Sequence, residues 1–430
     1  MSFDSLGLDA SILKAVADQG YTEPTPIQKA SIPVIIEGHD VIGVAQTGTG
    51  KTAAFTLPLL TKLVQTKSGA HQGRVRCLIL APTRELVVQI AENVAAYSRY
   101  AGATVATCYG GVSERPQIAA LRRGCDFLIA TPGRLLDLGG QGHGDFSAVE
   151  YLVLDEADRM LDMGFIRDVK VIVAKIGAER QTLLFSATMP EAVMSLAKGI
   201  LRNYERIEVT PQSTTVERID QRVMFVARED KRKLLSDLLN DKTVTRALVF
   251  TRTKHAANRV AEHLAKTGVS SDAIHGNKSQ NARQRSLAAF KSGKARVLVA
   301  TDIAARGIDV DGISHVINFE LPADPESYVH RIGRTARAGS SGSAISFCDA
   351  EEVADLRAIE RATRQVITVD TTHSFHAAHI ATRSERSGGE RSKPQGQRPQ
   401  GQKPGGGNNR GRNNRGGRGG KPWDNRSQAA

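Results

Sequence analysis

The stretch DVIGVAQTGTGKT (residues 40–52) joins a short apolar run to a glycine-rich turn that ends in Lys51 and Thr52. The apolar run predicts a buried β-strand, and the pattern AAFTLPLLTKLV (residues 53–64) that follows predicts a helix. Glycines in such a turn let backbone N–H groups surround a phosphate, whose charge the lysine neutralises, while the threonine hydroxyl is placed to bind Mg²⁺. A glycine-rich turn alone needs no ligand, but the Lys-Thr pair favours a nucleotide-binding loop in an α/β fold.

Short apolar runs recur along the chain, separated by longer helical patterns. The first series, between about residues 38 and 210, comprises DVIGVA, CLILAP, TVATCYGG, DFLIATP, YLVLDE and TLLFSAT. The second series follows after about residue 215 and comprises QRVMFV, RALVFTRT, SSDAIHG, ARVLVATD, HVINFELP and GSAISFC. Because runs that are apolar on both faces are typical of parallel strands covered by helices, each series predicts one parallel sheet.

The two series predict two α/β domains in tandem, followed by a tail. The first domain is expected over residues 1–208 and the second over residues 218–372. Residues 209–217 belong to a polar, β-branched stretch with a proline and no helical periodicity, which is typical of a linker. Residues 373–430 are predicted to form the tail.

The charge of the chain is concentrated near its C-terminus. The 430 residues carry 58 Lys/Arg and 45 Asp/Glu, a net charge of +13. Residues 381–430 contain 12 basic and 3 acidic residues, with 12 Gly and no Ile, Leu, Val, Met or Phe, so they cannot bury a core and are predicted to be disordered. A solubilising extension is one interpretation, but the stretch GRNNRGGRGGKPW (residues 411–423) favours RNA binding.

Cysteine spacing and hydropathy argue against a zinc-binding, a disulfide-rich or a membrane-spanning protein. The four cysteines, at positions 77, 108, 125 and 348, are isolated, so neither a zinc site nor a disulfide framework is predicted. No apolar run approaches the ~20 residues that a membrane span needs, and no basic segment precedes an apolar one at the start of the chain. A cytoplasmic location is therefore predicted.

Two adjacent acidic residues, Asp155 and Glu156, follow the apolar run YLVL at the same predicted edge of the sheet as the glycine-rich turn. One carboxylate can hold Mg²⁺ while its neighbour orients and deprotonates water. Acids at a strand end are also common as a solvated turn or a helix N-cap. The nearby nucleotide loop favours the catalytic interpretation.

The second predicted domain lacks a glycine-rich phosphate loop, because its turn after RALVF reads TRTKH. One nucleotide per chain is therefore expected. The segment HRIGRTARAG instead places Arg331, Arg334 and Arg337 within seven residues. A solvated basic face is the alternative, but the two glycines and the spacing favour arginines that reach a phosphate across a domain cleft.

Further motifs follow the apolar runs in order. In the first domain they are GYTEPTPIQ (residues 20–28), AQTGTGKT (45–52), PTREL (82–86), the pair at 110–111, TPGR (131–134), DEAD (155–158) and SAT (186–188). In the second they are VFTRT (249–253), Gln280 with Arg283, ATD (300–302), ARGIDV (305–310) and HRIGRTARAG (330–339).

From Phe3 to about Asp349 the chain resembles the DEAD-box ATP-dependent RNA helicases of superfamily 2. The resemblance implies two tandem RecA-like domains. Within the family, the compact core, the HGNKSQ segment and the basic tail are most similar to the bacterial RhlE-type subgroup.

The resemblance implies roles for individual residues at the nucleotide. Gln28 is expected to read the adenine edge, Phe3 to stack on the ring and Asp309 to hold the ribose. The phosphate loop is expected to bind through Ala45, Gln46, Thr47, Gly48, Thr49, Gly50, Lys51 and Thr52. Thr52 and Asp155 are the expected Mg²⁺ residues, Glu156 the base that activates water, and Arg334 and Arg337 the arginine fingers, with Lys51 also catalytic. Arg331 is not expected to act as a finger.

The resemblance also implies an RNA track and a link to the hydrolysis site. Contacts with RNA phosphates and 2′-hydroxyls are expected from Arg84, Gly111, Thr131, Arg134, Thr251, Arg283 and Thr301. Coupling of the sites is expected from Asp158, Ser186, Thr188 and His330. The partner is therefore RNA, single-stranded or in short duplexes and without sequence preference.

These observations predict an ATP- and Mg²⁺-dependent RNA helicase that opens short duplexes by domain closure. An ATP-gated RNA clamp or annealing scaffold fits the same motifs, and a processive DNA translocase fits them less well. Ribosomal precursors and the RNA-decay machinery are the candidate larger partners, and the core is expected to be monomeric.

Overall fold

The computed structural model of the protein describes residues 2–46, 48–66, 73–209, 219–305, 310, 312–336 and 342–381. Within these residues the chain forms two seven-stranded sheets, and every strand pairing within them is parallel. None of the helices described is long and apolar enough to span a membrane.

The first sheet has the order β3-β4-β2-β5-β6-β1-β7. Its strands are β1 (Val41–Val44), β2 (Val75–Leu80), β3 (Val105–Cys108), β4 (Cys125–Ala130), β5 (Tyr151–Leu154), β6 (Gln181–Ser186) and β7 (Glu205–Glu208). The second sheet has the order β10-β11-β9-β12-β13-β8-β14. Its strands are β8 (Ile219–Phe225), β9 (Ala247–Thr251), β10 (Ser271–Ile274), β11 (Val297–Thr301), β12 (His315–Asn318), β13 (Gly342–Cys348) and β14 (Thr368–Val369).

Helices connect the strands. Those of the first domain are a 3₁₀ turn (Phe3–Leu6), α1 (Ala10–Asp18), α2 (Pro26–Ile36), α3 (Lys51–Gln65), α4 (Arg84–Tyr97), α5 (Arg115–Arg123), α6 (Pro132–Gly140), α7 (Ala157–Asp162), α8 (Ile166–Lys175) and α9 (Glu191–Ile200). Those of the second are α10 (Lys231–Asn240), α11 (Lys254–Lys266), α12 (Gln280–Lys291), α13 (Asp302–Ala305), α14 (Pro325–Ile332) and α15 (Val353–Thr363).

The predicted parallel sheets are confirmed, because each of the twelve apolar runs contains one strand. The structure adds two strands, β7 and β14, at one edge of each sheet. Three of the four β7 side chains and both β14 side chains are exposed, so neither strand produces an apolar run in the sequence. Edge position therefore explains why sequence patterning missed them.

The two sheets share one topology, because adding seven to each strand number of the first order gives the second order. Strand β8 thus takes the place of β1, and Lys231 begins α10 where Lys51 begins α3. The Lys231 ammonium is buried and forms ion pairs with Glu352 and, at 3.0 Å, with Asp349. Carboxylates of the chain therefore occupy the position next to this lysine.

The end of the second domain lies later in the chain than predicted. Ala377 and Ile380 are buried in the core beside α15, and His376 forms a bridge with Val226. Residues 373–381, assigned above to the tail, therefore belong to the second domain. A short helix and two small apolar residues gave too weak a pattern to reveal this. The linker prediction, apart from Val209, and the tail from residue 382 lie outside the described residues.

Candidate nucleotide and nucleic-acid site

A cavity of about 840 Å³ lies at the carboxyl edge of the first sheet. The start of α3 and the end of β5 supply Lys51, Asp155 and Glu156, and the loop before α2 supplies Tyr21. The second domain contributes Arg334 to the same wall. Residues far apart in the sequence therefore converge where parallel sheets bind ligands.

The glycine-rich turn has the backbone that its sequence predicts. Gly48 and Gly50 adopt left-handed conformations, with φ of 83° and 91°, which residues with a Cβ rarely adopt. The Lys51 ammonium is buried and donates a 2.7 Å hydrogen bond to the Ala45 carbonyl, and Thr49 Oγ1 donates one of 2.7 Å to the carbonyl of Gln46. Thr52 lines the cavity, and Thr47 lies outside the described residues.

Gln28 ties the loop before α2 to the phosphate turn. Its Oε1 accepts a 2.8 Å hydrogen bond from the Thr25 amide, and its Nε2 donates one of 3.1 Å to the Gly50 carbonyl. A Cβ at residue 50 would lie 2.4 Å from Nε2 and would displace the Gln28 amide, so the site favours glycine in addition to its left-handed φ of 91°. Gln28 is thus buried and held in place beside the cavity.

Two aromatic rings, Phe3 and Tyr21, line the cavity, and they differ in exposure. Phe3 is only 5% exposed and packs in the apolar core, whereas Tyr21 is 41% exposed. The two rings stack with centroids 6.5 Å apart, and the Tyr21 hydroxyl lies 3.0 Å from that of Tyr97. The partly exposed Tyr21 ring therefore packs on the buried ring of Phe3. Tyr21 had no predicted role, although it lies within the GYTEPTPIQ motif.

The two acidic residues have different surroundings. Asp155 is buried, which raises its pKa to about 7 even though the Lys51 ammonium opposes the shift. Its Oδ1 accepts a 2.9 Å hydrogen bond from the Glu156 amide, and within the described residues Oδ2 accepts none. Glu156 has a left-handed backbone, with φ of 54°, where the strand turns into α7.

Among the described residues, the Glu156 carboxylate forms one ion pair within 4 Å. Its Oε2 lies 3.0 Å from Nη1 of Arg159, one turn further along α7, and both side chains are buried. Sequence analysis did not assign a role to Arg159. The i,i+3 spacing permits the pair, but such spacing is too common on helices to have identified it.

Asp158 links β6 to α7 through several hydrogen bonds. Its Oδ2 accepts from the Thr188 amide at 2.8 Å and from the Thr188 hydroxyl at 3.0 Å, and its own amide donates to Ser186 Oγ at 3.1 Å. The structure therefore brings together the three residues that were expected to form this polar link in the first domain.

The arginines of the second domain are not equivalent. Arg331 is fully buried, pairs with both carboxylate oxygens of Asp302 and donates to the Glu320 carbonyl, so its guanidinium serves the fold. Arg334 is buried at the domain junction, where burial and the Arg159 charge lower its pKa to about 9 and Glu156 opposes that shift. Asp309 and Arg337 lie outside the described residues.

His330 lies between the domains and shares a small cavity with Arg159 and Arg334. Burial and these two positive charges lower its pKa to about 4, although Asp158 and Glu156 act in the opposite direction. The imidazole is therefore neutral at physiological pH. The structure places His330 beside Arg159 and Arg334, and its expected coupling role stays a prediction.

Three arginines from both domains converge at a second location. Burial and the charges of Arg283 and Arg134 lower the pKa of Arg84. Two carboxylates pair with them: Glu85 lies 3.0 Å from Arg283 Nη2 and also accepts a 3.1 Å hydrogen bond from Gln280, and Asp137 lies 3.6 Å from Arg134 Nε. Positive charge thus exceeds negative charge in this cluster, which favours an anionic ligand.

The other members of the expected RNA track also lie at the carboxyl edges of the sheets. Thr131 precedes α6, and Thr301 of β11 is the register partner of Thr251 of β9. Gly111, with φ of 80°, lies so close to Arg84 that a Cβ would be 2.0 Å from Nη1. Thr251 and Thr131 are buried, and the Thr251 hydroxyl donates a 3.2 Å hydrogen bond to the Thr253 carbonyl.

The sequence and the site match one known family. The DEAD/DEAH box helicase domain matches residues 25–196, and the Helicase conserved C-terminal domain matches residues 230–339. The ATP-dependent RNA helicase RhlB of Pseudomonas aeruginosa is 47% identical over 86% of this chain and 94% of its own length. The chain belongs to the DEAD/DEAH box helicase family.

Other members of this helicase family give the same result. The DEAD-box ATP-dependent RNA helicase CshA of Geobacillus kaustophilus is 43% identical over 85% of this chain and 77% of its own. S. cerevisiae Dbp5 bound to RNA and ADP BeF3 has a TM-score of 0.77 and 31% identity, covering 90% of this chain and 99% of Dbp5. Mss116p bound to ssRNA and AMP-PNP has the same TM-score and identity, covering 90% and 82%. The tandem RecA-like fold predicted for this helicase is confirmed.

Proposed function

We propose that this ATP-dependent RNA helicase binds ATP and a single RNA strand between its two domains, so that each ligand favours closure and the two are thermodynamically coupled. The observation that carries the proposal is the position of Arg334. This residue of the second domain lines the same cavity as Lys51, Asp155 and Glu156 of the first. A hydrolysis site that needs both domains responds to anything that brings them together.

In this proposal the nucleotide lies in the 840 Å³ cavity. The phosphate turn from Ala45 to Thr52 binds the phosphates, and Lys51 exchanges its bond to the Ala45 carbonyl for a phosphate oxygen. Tyr21, with its exposed ring face, stacks on the adenine, while Phe3 supports Tyr21 from below. Gln28 recognises the adenine edge with the hydrogen-bonding capacity that Thr25 and Gly50 leave free. Asp309 is proposed for the ribose.

Thr52 and Asp155 are proposed to hold Mg²⁺, and the surroundings of Asp155 fit that role. Its carboxylate is buried, has an oxygen that accepts no hydrogen bond within the described residues, and carries a pKa raised to about 7. A divalent cation beside it would favour the charged form and so offset the effect of burial. The ion would neutralise phosphate charge during hydrolysis.

For hydrolysis, Glu156 orients the attacking water and accepts its proton, and Arg334 stabilises the charge that develops on the phosphate. Arg337 is proposed as a second finger by sequence alone. Asp158, Ser186 and Thr188 transmit the state of this site to the domain junction through their shared hydrogen bonds, and His330 acts there as a neutral group.

On the RNA side, Arg84, Arg134 and Arg283 neutralise backbone phosphates, because their mutual repulsion is relieved when an anion binds between them. Gly111, Thr131, Thr251 and Thr301 are proposed to line the same track and to contact the backbone. Contacts of this type select RNA without reading its sequence.

Three finer assignments stay predictions. The RhlE-type resemblance depends on the compact core and the basic tail, whereas the relatives described above carry the names RhlB and CshA. The cytoplasmic location and a role in ribosome assembly or RNA decay rest on the sequence alone. The domain limits are those of the sequence analysis, with the second domain extended to residue 381.

The proposal is tested by ATP turnover with single-stranded RNA and with DNA of the same sequence. RNA is expected to stimulate turnover strongly and DNA much less, and equal stimulation would contradict the RNA track. Glu156→Gln should keep ATP and RNA binding but lose turnover, whereas Glu114→Gln, an exposed site outside the cavity, should change neither. A chain that holds ATP and RNA without cycling would instead be a clamp.

Arg334→Ala provides the second test. Turnover is expected to fall by roughly 10³-fold with little change in the affinity for ATP, because the guanidinium acts on the transition state. A loss confined to ATP affinity would make Arg334 a ground-state contact instead.

A further inference from the structure

Arg159 is the closest cation to Glu156 and has no role in the assignments above. It is 3% exposed, and its Nη1 lies 3.0 Å from Glu156 Oε2. Glu156 is the residue that precedes α7, and Arg159 lies in the first turn of that helix. The backbone of α7 therefore fixes the position of Arg159 in this buried ion pair.

Residues of the second domain surround Arg159. Arg159 lines a cavity of about 20 Å³ with His330, Arg331 and Arg334 of that domain. Burial and the positive charge of Arg159 lower the pKa of Arg334, and the Glu156 carboxylate opposes that shift. The Glu156 carboxylate therefore interacts electrostatically with one guanidinium group of each domain, which offsets part of the cost of burying them.

The two oxygens of the Glu156 carboxylate are not equivalent. Oε2 is engaged by Arg159, whereas Oε1 accepts no hydrogen bond within the described residues. A carboxylate that is fixed through one oxygen can present the other in a single orientation, as a group that accepts a proton must.

We propose that Arg159 is a positioning residue for hydrolysis, which fixes Glu156 through Oε2 and leaves Oε1 to the attacking water. This inference rests on the proposed role of Glu156 as the base. Arg159 does not touch the nucleotide in this arrangement, and it acts through Glu156 alone.

The proposal predicts a specific pattern of rate constants. Arg159→Gln keeps a hydrogen-bond donor but removes the charge and the rigid guanidinium, so kcat for RNA-stimulated hydrolysis should fall by roughly 10- to 100-fold, as expected for a misplaced catalytic group. The KM for ATP should change less than about twofold, since uniform binding is untouched. Arg159→Lys retains the charge and should recover part of kcat.

A double-mutant cycle separates positioning from a structural role. In the Glu156→Gln background, Arg159→Gln should cause no further loss of single-turnover rate, because the group through which it acts is already gone. Arg167→Gln, an exposed arginine on the neighbouring helix α8, serves as the control and should leave all rates unchanged. If Arg159→Gln does not fold, Arg159→Lys is carried through the same cycle.

The outcomes distinguish this inference from the proposed function. Normal turnover in Glu156→Gln would show that Glu156 is not the base, and the proposed function would fail at that point. Loss of turnover in Glu156→Gln together with normal turnover in Arg159→Gln would overturn the role of Arg159 alone. Additive losses in the double variant, or a loss expressed only in the KM for ATP, would also overturn it. Faster turnover in Arg159→Gln would show that the ion pair restrains Glu156.

Discussion

The carboxylate of Glu85, on helix α4 of the first domain, lies 3.0 Å from the guanidinium of Arg283, on helix α12 of the second. Gln280 donates a 3.1 Å hydrogen bond to the same carboxylate oxygen, so one acidic residue joins two side chains of the opposite domain. All three side chains are buried. An arginine expected to contact RNA therefore also forms part of the junction between the domains.

Glu85→Gln should weaken closure. Loss of the buried ion pair leaves Arg283 without its partner, and we expect the RNA concentration for half-maximal stimulation of ATP turnover to rise roughly tenfold, which corresponds to about 1.4 kcal/mol. Glu92→Gln is the matched control, because this exposed residue of α4 removes the same charge and forms no ion pair within the described residues. If Glu85 merely held Arg283 away from phosphate, the variant would bind RNA more tightly.

Gly111→Ala should disturb the RNA track through Arg84. A Cβ at residue 111 would lie 2.0 Å from Nη1 of that arginine, so the guanidinium must move. RNA affinity, measured by titration, is expected to fall roughly tenfold, while ATP affinity in the absence of RNA stays unchanged. Gly102→Ala imposes a similar left-handed backbone strain, with φ of 71° and no atom within 4 Å, and should leave RNA affinity as it is.

His330 should make the protein less stable in acid. Its pKa is about 4 in the folded chain and near 6.5 when unfolded, so the unfolded chain binds the proton first and stability falls as the pH drops from about 6.5 to 4. Denaturant titrations across this range measure the free energy of unfolding. Between about pH 6.5 and pH 4 this free energy should fall by roughly 2–3 kcal/mol less in His330→Gln than in the wild type. His255→Gln, at an exposed histidine, should retain the wild-type decline.

Ala336→Gly should relieve backbone strain two residues after Arg334, which is proposed above as an arginine finger. Ala336 has a φ of 54°, which costs a residue with a Cβ about 1–2 kcal/mol, while glycine adds about 0.5–1 kcal/mol of unfolding entropy. The free energy of unfolding should therefore rise by up to about 1 kcal/mol. Thermal or denaturant unfolding measures the change, and a clear loss of stability would mean that the methyl group contributes packing that outweighs the strain.

Deletion of residues 385–430 should weaken RNA binding without lowering the maximal RNA-stimulated rate. The deletion begins beyond Ile380, which packs in the second domain. Each phosphate that the tail neutralises adds about 0.7 to the slope of log affinity against log salt, so the shortened chain should show a shallower slope. A full-length chain with the tail Lys and Arg changed to Gln should behave like the deletion, and an unchanged slope would support a solubilising tail.

Apolar patterning predicted the sheets well because their central strands are buried on both faces. It could not reveal β7 and β14, whose side chains are mostly exposed, nor the short segment that carries Ala377 and Ile380. A strand produces an apolar run only where its side chains are buried, and the side chains of an edge strand are mostly exposed.

Site residues such as Lys51 and Asp155 were predictable, because a characteristic residue type lies shortly after the end of a predicted strand. The place of Tyr21 beside Phe3 in the cavity wall was not, because it depends on how far each ring is exposed after folding. The partners of Glu85 and Glu156 likewise depend on side-chain directions after folding. Spacing alone shows that such pairs are possible, but it does not select them.

The Lys231 ammonium, with Glu352 and Asp349 against it, has consequences for how the protein responds to nucleotide concentration. In the second domain the anion beside the helix-initial lysine is part of the chain, so its occupancy cannot vary with anything in solution. Only the equivalent position in the first domain can be filled or emptied. The saturation curve of a single chain with ATP should therefore be hyperbolic, with a Hill coefficient of one, however strongly the two domains are coupled.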